Sequence, residues 1–222
     1  DEGSGAVSVC AEIVDGQLGV SASVALSTTS ESASDSVDYE PLVGETLSFG
    51  PGDRESCATI VIIDDDVTEP MESFVVFFEP LSLFVTIDNG GDTFLQVTIT
   101  DDDKIVVSLT QGDPVTDESM GRVMVCAVIV RGELDGTTAT LALSTLDGSA
   151  INTEDYVAVD SEPLLLGPVA VAGDSVCGTV PLIDDEISEP MESFSVTLES
   201  ESNNTSVEGT SRARVTILDD DS

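Results

Sequence analysis

The sequence has no histidine, no tryptophan, only two tyrosines, and only six lysines and arginines among its 222 residues. Without histidine, catalysis by Ser–His or Cys–His pairs is excluded, and the usual zinc ligand set is missing. The shortage of basic residues argues against binding to nucleic acid or to an anionic membrane surface, since both need clusters of Lys or Arg. The shortage of aromatic residues argues against a stacking platform for sugars or single-stranded nucleic acid. No apolar run approaches the roughly 18 residues of a transmembrane helix.

Acidic residues, in contrast, are abundant. The chain contains 44 Asp and Glu, which gives a formal net charge of −38 at pH 7. Such a charge is typical of disordered chains, but 41% of the residues are hydrophobic, which allows a packed core. We therefore expect a folded protein with excess carboxylates, and a divalent cation is the first candidate to neutralise them. No signal peptide is visible, which predicts a mature chain or an excerpt of a longer one.

The chain repeats itself, which predicts two copies of one module. The segment Ile-Asp-Asp-Asp-Val-Thr-Glu-Pro-Met-Glu-Ser-Phe at 63–74 recurs as Ile-Asp-Asp-Glu-Ile-Ser-Glu-Pro-Met-Glu-Ser-Phe at 183–194. We predict modules at 1–103 and 104–222, the first without its opening strand, because Asp1 aligns with Asp117. The missing opening strand fits an excerpt of a longer array, or a neighbouring chain that supplies the strand by strand addition.

The hydrophobic pattern has a period of two, which is typical of strands. In 6–14 apolar side chains occupy every second position, and 123–129 repeat the pattern. Further strands are predicted at 73–79, 93–100, 105–109, 193–199 and 211–218, with a hairpin turn at Asn89-Gly90-Gly91. The sequence therefore predicts an all-β fold of two tandem antiparallel β-sandwiches.

The four cysteines lie on the strand faces opposite the predicted core. Outward cysteines on neighbouring antiparallel strands can form cross-strand disulfides, so we predict the pairs Cys10–Cys57 and Cys126–Cys177 within modules. Pairing between modules is the alternative that the sequence leaves open. Redox catalysis is disfavoured, because there is no Cys-x-x-Cys and no basic neighbour to lower a thiol pKa.

Twenty of the acidic residues gather at predicted strand ends, where the alternating direction of the strands brings them to one pole of each module. They are Glu2, Asp38, Asp64, Asp65, Asp66, Glu69, Glu72, Asp101, Asp102 and Asp103, and Glu118, Asp155, Asp184, Asp185, Glu186, Glu189, Glu192, Asp219, Asp220 and Asp221. Ca²⁺ accepts six to eight oxygen ligands flexibly, whereas Mg²⁺ demands octahedral geometry and keeps its waters. We therefore predict Ca²⁺ at these poles, with a solvated acidic face as the alternative.

The order of these motifs resembles the Calx-beta module. An Asp-Tyr pair, a strand ending in Asp-Asp-Asp, a Glu-x-x-Glu-x-Phe segment and a strand closing on Asp-Asp-Asp occur in both halves, apart from Glu186 in place of the third Asp. The resemblance covers essentially the whole chain and implies immunoglobulin-like sandwiches that bind Ca²⁺ at one pole. It implies ligands among the acids named above and the backbone carbonyls of Val67 and Ile187.

The resemblance also sets the functional expectations. Paired cysteines and a Ser/Thr-rich surface are similar to extracellular members, such as repeats of sponge aggregation factors and adhesion-receptor ectodomains. We expect a Ca²⁺-rigidified extracellular adhesion or matrix module in an array or fibre, with homotypic neighbours as partners. The alternatives are a Ca²⁺-sensing pair as in sodium/calcium exchangers, a mineral-contacting matrix protein and, least favoured, a carboxylate-pair glycosidase. We expect no catalytic residues. Asn203 and Asn204 are candidate glycosylation acceptors.

Overall fold

The structure is a computed structural model that describes residues 1–16, 19–88, 94–110 and 112–221. Contacts divide the chain into two compact units, the first Asp1–Asp65 with Pro70–Asp102 and the second Asp66–Glu69 with Asp103–Ser222. The predicted module bounds differ from this division at 66–69 and at Asp103, and they stay a prediction. Among the described residues, no helix is long and apolar enough to cross a membrane.

Along residues 1–103 the chain forms β-strands separated by turns. The strands are β1 (Ala6–Glu12), β2 (Ala22–Ser30), β3 (Glu45–Phe49), β4 (Glu55–Val61), β5 (Val67–Thr68), β6 (Glu72–Pro80) and β7 (Phe94–Ile99). In the first unit, β1 pairs with β4, and a second sheet has the order β3-β2-β6-β7, all antiparallel. The predicted hairpin turn at 89–91 lies outside the described residues.

The core of the first unit lies between these two sheets. Val9 and Ile60 from one sheet and Leu26 from the other are buried in the same hydrophobic cluster. The ring of Tyr39, fully buried, stacks on Phe74 with ring centroids 4.1 Å apart. The period-two pattern therefore places alternate residues between two sheets, which is the sandwich that the sequence predicts.

The second unit repeats this architecture with additional strands. The strands from residue 105 onward are β8 (Ile105–Leu109), β9 (Val115–Asp117), β10 (Arg122–Arg131), β11 (Glu133–Leu134), β12 (Ala139–Leu146), β13 (Glu162–Leu166), β14 (Ser175–Pro181), β15 (Glu192–Ser200), β16 (Thr205–Val207) and β17 (Arg212–Leu218). One sheet has the order β14-β10-β8-β16 and the other β13-β12-β15-β17-β9. Tyr156 stacks on Phe194 in the core, again with centroids 4.1 Å apart.

Three pairings in the second unit differ from the antiparallel expectation, because β16 pairs with β8, β9 with β17 and β11 with β5 in parallel. β8 and β9 belong to different sheets, and Pro114, whose nitrogen has no hydrogen to donate to a ladder, directly precedes β9. The Pro114 carbonyl still accepts a hydrogen bond from Thr216 N, at 2.9 Å. β9 leads the chain directly into the turn that carries Glu118.

Both predicted disulfides are present. Cys10 pairs with Cys57 across β1 and β4, and Cys126 pairs with Cys177 across β10 and β14. In each case the two cysteines are direct cross-strand partners, and the buried residues of these strands lie on the opposite face. The within-module pairing is confirmed, and each bond joins two strands of the same sheet.

Candidate metal centre

The ends of several strands meet at one pole of the second unit. Asp117 at the end of β9 pairs with Leu218 at the end of β17. Arg122 at the start of β10 pairs with Pro181 at the end of β14. Glu118 lies on the short turn between β9 and β10, so it sits where these ends converge. The acidic segments 184–186, separated from β14 by two residues, and 219–221, directly after β17, reach the same pole.

A capped turn directs Glu118 inward. The 3₁₀ turn Glu118–Met120 has Asp117 as its N-cap, and the Asp117 carboxylate accepts hydrogen bonds from Ser119 N, at 3.1 Å, and from Ser119 Oγ. The turn ends at Gly121, whose φ of 65° favours glycine. Glu118 is consequently only 6% exposed. A buried carboxylate of this kind is costly unless a partner compensates it.

Four carboxylates lie around Glu118. One oxygen from each of Glu118, Asp219 and Asp221 lies within 4.8 Å of the other two, and the same holds for Glu118, Asp184 and Asp220. Glu118 Oε1 and Asp221 Oδ2 are buried and have no hydrogen-bond partner among the described residues. Two buried acceptor atoms without donors, in a cluster of oxygen ligands, fit a hard cation such as Ca²⁺.

Backbone donors hold one member of the cluster in place. Asp219 Oδ1 accepts from Asp221 N at 3.0 Å, and its Oδ2 accepts from Glu189 N at 3.0 Å. These two hydrogen bonds lower the pKa of Asp219. The Asp219 side chain thereby ties the end of β17 to the loop before β15, and it stays ionised beside the buried Glu118.

In contrast to Asp219, its neighbours Glu118 and Asp221 have a raised pKa. Burial, followed by the charge of Asp219, raises the pKa of Glu118 from its ordinary value of 4.5 to about 7. Burial, followed by the charges of Asp219 and Asp220, raises the pKa of Asp221. Protonation and a bound cation are two ways to relieve such repulsion, and they compete, because a cation binds the deprotonated carboxylates.

A second acidic group lies beside the first. Burial and a hydrogen bond with Asp155 raise the pKa of Glu192 to about 7. Burial and the charges of Asp155 and Asp185 raise the pKa of Glu189. Asp155 itself is anchored, since Ile151 N donates to its Oδ2 at 2.6 Å. The Asp-Tyr motif therefore contributes an oriented carboxylate to this group, and its role as a Ca²⁺ ligand stays a prediction.

The first unit contains corresponding pairs. Glu2, on the 3₁₀ turn Glu2–Ser4, is 6% exposed, and one of its oxygens lies within 4.8 Å of an Asp64 oxygen. Asp38 and Glu72 approach each other within the same distance. Asp102 Oδ1 accepts from Gly3 N at 3.0 Å, and a Cβ on Gly3 would lie 2.8 Å from Asp102 Oδ2. Gly3 N thus holds the Asp102 carboxylate beside the turn that carries Glu2.

The other predicted site residues are placed as follows. Asp65 is exposed and Asp101 half-buried in the first unit, whereas Asp66, Val67, Glu69 and Asp103 are counted with the second unit. Asp185 Oδ1 accepts from Ile187 N at 2.6 Å, so Asp185 also orders its own loop. The side chains of Glu186 and Ile187 are exposed.

Sequence reasoning missed three residues around the site of the second unit. Asp117 caps the turn of Glu118, and its position two residues before Ser119 is a recognisable capping signal. The charge of Glu154 adds to the raised pKa of Glu192. Asp147 Oδ1 accepts from the buried Tyr156 hydroxyl at 2.5 Å, a contact that no local motif predicts.

Comparison with known proteins agrees with the resemblance seen in the sequence. A family model described as the Calx-beta domain matches residues 1–97 and 100–221. No curated protein matches the chain.

Several solved structures are similar to the chain. "Crystal structure of CBD12 from CALX1.2" is 22% identical, with 98% of this chain and 95% of that chain covered and a TM-score of 0.46. "Crystal structure of calcium binding domain CBD12 of CALX1.1" is 21% identical over 96% and 94%, with a TM-score of 0.47. "Crystal structure of Apo-form Calx CBD1 domain" is 28% identical over 54% and 100%, with a TM-score of 0.46. These scores are too low to carry an argument, so the family assignment rests on the family model.

Proposed function

The chain belongs to the Calx-beta domain family, and on this premise we propose that it is a tandem pair of Ca²⁺-binding modules with a binding and not a catalytic function. The observation that carries the proposal is the cluster around Glu118. There, Glu118 Oε1 and Asp221 Oδ2 are buried without hydrogen-bond partners among the described residues, inside a group of carboxylates. A cation held there would satisfy both atoms.

In this proposal Glu118, Asp184, Asp219, Asp220 and Asp221 hold the ion in the second unit. Asp219 is fixed in advance by Glu189 N and Asp221 N, so little reorganisation is needed on binding. Oxygen ligands without nitrogen or sulfur favour Ca²⁺ or Mg²⁺ over transition metals. Carboxylates from three separate segments of the chain favour Ca²⁺, which tolerates irregular geometry with six to eight oxygens.

Calorimetric titration of the full chain with Ca²⁺ tests the site. We expect Glu118→Gln to weaken Ca²⁺ binding in the second unit by at least on the order of tenfold, the loss found even for outer-shell partners of metals. Glu199→Gln is the matched control, because Glu199 is an exposed residue of the same charge towards the far end of β15. Equal affinity in E118Q and the wild-type chain would contradict the proposal.

Two finer functions are compatible with a Ca²⁺-binding pair. We place Ca²⁺ sensing first, because the family match extends over both modules in tandem, whereas the comparisons give the extracellular adhesion role no support. The two disulfides favour the second candidate, a Ca²⁺-stiffened structural module in an oxidising extracellular compartment. Homotypic assembly by strand addition along β1, which pairs only with β4 among the described residues, belongs to this second candidate.

Affinity and redox state separate the two candidates. Sensor sites bind Ca²⁺ with dissociation constants of about 10⁻⁷–10⁻⁵ M, and extracellular modules with about 10⁻⁴–10⁻³ M. Four free thiols in the protein isolated from its native source would support the sensor, and intact disulfides would support the structural module. Sedimentation with Ca²⁺ and with EGTA tests homotypic assembly. A chain that stays monomeric under both conditions argues against the array.

A further inference from the structure

Overlapping glycosylation motifs lie on the turn between β15 and β16. Asn203-Asn204-Thr205 and Asn204-Thr205-Ser206 both fit the acceptor pattern Asn-x-Ser/Thr. The backbone around them is well anchored, since Glu201 N donates to Thr140 O at 3.0 Å. The two asparagines can therefore be compared as positions in a defined turn.

The two side chains have different environments. Asn204 is half-buried, its Nδ2 donates to Thr138 O at 3.3 Å, and its Oδ1 accepts from Thr205 Oγ1 at 3.3 Å. Its carbonyl also accepts from Ile105 N at 3.1 Å. The side chain of Asn203 is exposed and makes no hydrogen bond to the rest of the described chain. A bulky group fits on Asn203 without a change in packing, whereas on Asn204 it would occupy a nitrogen that already has a structural contact.

Resting on the second candidate above, the structural module of an extracellular compartment, we propose that Asn203, and not Asn204, is the acceptor for an N-linked glycan. The donor class is an oligosaccharide carried on a polyprenyl pyrophosphate. Asn203 Nδ2 attacks C1 of the first sugar, the new C1–N bond replaces the C1–O bond to the pyrophosphate, and polyprenyl pyrophosphate leaves as the amide loses one proton. The product is a bulky, solubilising surface modification.

The position of Asn203 keeps such a glycan away from the carboxylate cluster of the second unit. β15 runs from Glu192, beside that cluster, to Ser200, just before the turn. Its nine residues span roughly 26 Å at about 3.3 Å per residue. The modified turn and the Glu118 site therefore lie at opposite ends of the unit, and the glycan leaves the cation site open.

Expression of the full chain behind a secretory signal peptide in insect cells tests the proposal, with site mapping by mass spectrometry before and after enzymatic removal of N-glycans. We expect one glycan, on Asn203, in the wild-type chain. Asn203→Gln should lose it, although the motif of Asn204 is intact. Ser206→Ala is the matched control, because it removes only the motif of Asn204 and should keep the glycan.

Glycan on Asn204 in the wild-type chain or in N203Q would overturn the assignment, as would a secreted, folded wild-type chain without any glycan. Asn204→Gln supplies an independent check. It preserves the Asn203 motif as Asn-Gln-Thr, so the glycan on Asn203 should remain. The outcome is separate from Ca²⁺ binding, which is measured on the unglycosylated protein.

Discussion

At the scale of single residues, Asp147 and Ser30 perform equivalent roles in the two modules. Asp147 Oδ1 accepts from the Tyr156 hydroxyl at 2.5 Å and from Asn152 N at 3.0 Å. Ser30 Oγ lies 3.2 Å from the Tyr39 hydroxyl and accepts from Asp35 N at 3.0 Å. A buried tyrosine hydroxyl thus has a partner in both copies, although the partner's chemistry differs.

This equivalence predicts a graded response to substitution. Asp147→Ser should be nearly neutral, because a serine holds the matching position in the first module. Asp147→Ala should lower the free energy of unfolding by about 1–3 kcal/mol more, since the fully buried Tyr156 hydroxyl loses its acceptor. Urea unfolding of both variants measures the difference. Equal stability of D147A and D147S would show that the hydrogen bond does not contribute.

At the scale of elements, each disulfide joins strands that already pair directly. Cys126–Cys177 closes a sequence separation of 51 residues between β10 and β14. The chain-entropy model predicts that a loop of this length stabilises the fold by about 4 kcal/mol. We expect the double variant Cys126→Ser/Cys177→Ser to have a free energy of unfolding, measured with urea, that is lower by up to that amount. The variant should retain Ca²⁺ binding, because the bond lies on a sheet face away from Glu118; loss of binding would contradict this separation.

The elements also show what the sequence could and could not predict. Strands such as β1 and β10 were predictable, because their apolar residues alternate over enough positions to define a face. The two- and three-residue strands β9, β11 and β16 are too short for any periodic signal, and their partners are set by tertiary packing. The acids of the cluster around Glu118 recur in both copies of the repeat, so their grouping was predictable, but the burial of Glu118 required the fold; their role as Ca²⁺ ligands stays a prediction. Its capped turn could have been predicted from Asp117, Ser119 and Gly121.

At the scale of the whole molecule, the carboxylates with raised pKa predict how stability depends on pH without Ca²⁺. Glu118 and Glu192 have a pKa of about 7 in the fold against an ordinary 4.5. The folded state therefore binds more protons than the unfolded state between these values. The stabilising contribution is fully present below about pH 4.5 and is lost as the pH rises through about 7. In EGTA, the melting temperature should fall between pH 5 and pH 8.

The double variant Glu118→Gln/Glu192→Gln is the control for this dependence. It cannot titrate at these positions, so its melting temperature should change less over the same pH range. A steeper or unchanged decline in the variant would assign the pH effect to other acids of the chain.

With a net charge of −38, the whole acidic surface attracts cations in addition to the carboxylate cluster. Because Ca²⁺ binds the folded state, a free Ca²⁺ concentration of 100 times the dissociation constant should raise the free energy of unfolding by about 2.7 kcal/mol per site. We therefore expect the melting temperature at pH 7.5 to rise on addition of Ca²⁺ and to return after EGTA. Differential scanning calorimetry measures both changes.

General screening of the acidic surface would raise the melting temperature too, and a comparison of salts separates the two causes. Added NaCl at the same ionic strength screens exposed charges, but it cannot supply the coordination that Glu118 Oε1 and Asp221 Oδ2 lack. In Glu118→Gln/Asp221→Asn the NaCl response should therefore persist, while the additional effect of Ca²⁺ falls because one module's site is lost. If the variant retained the full Ca²⁺ effect, neutralisation of the surface and not binding at this cluster would explain the stabilisation.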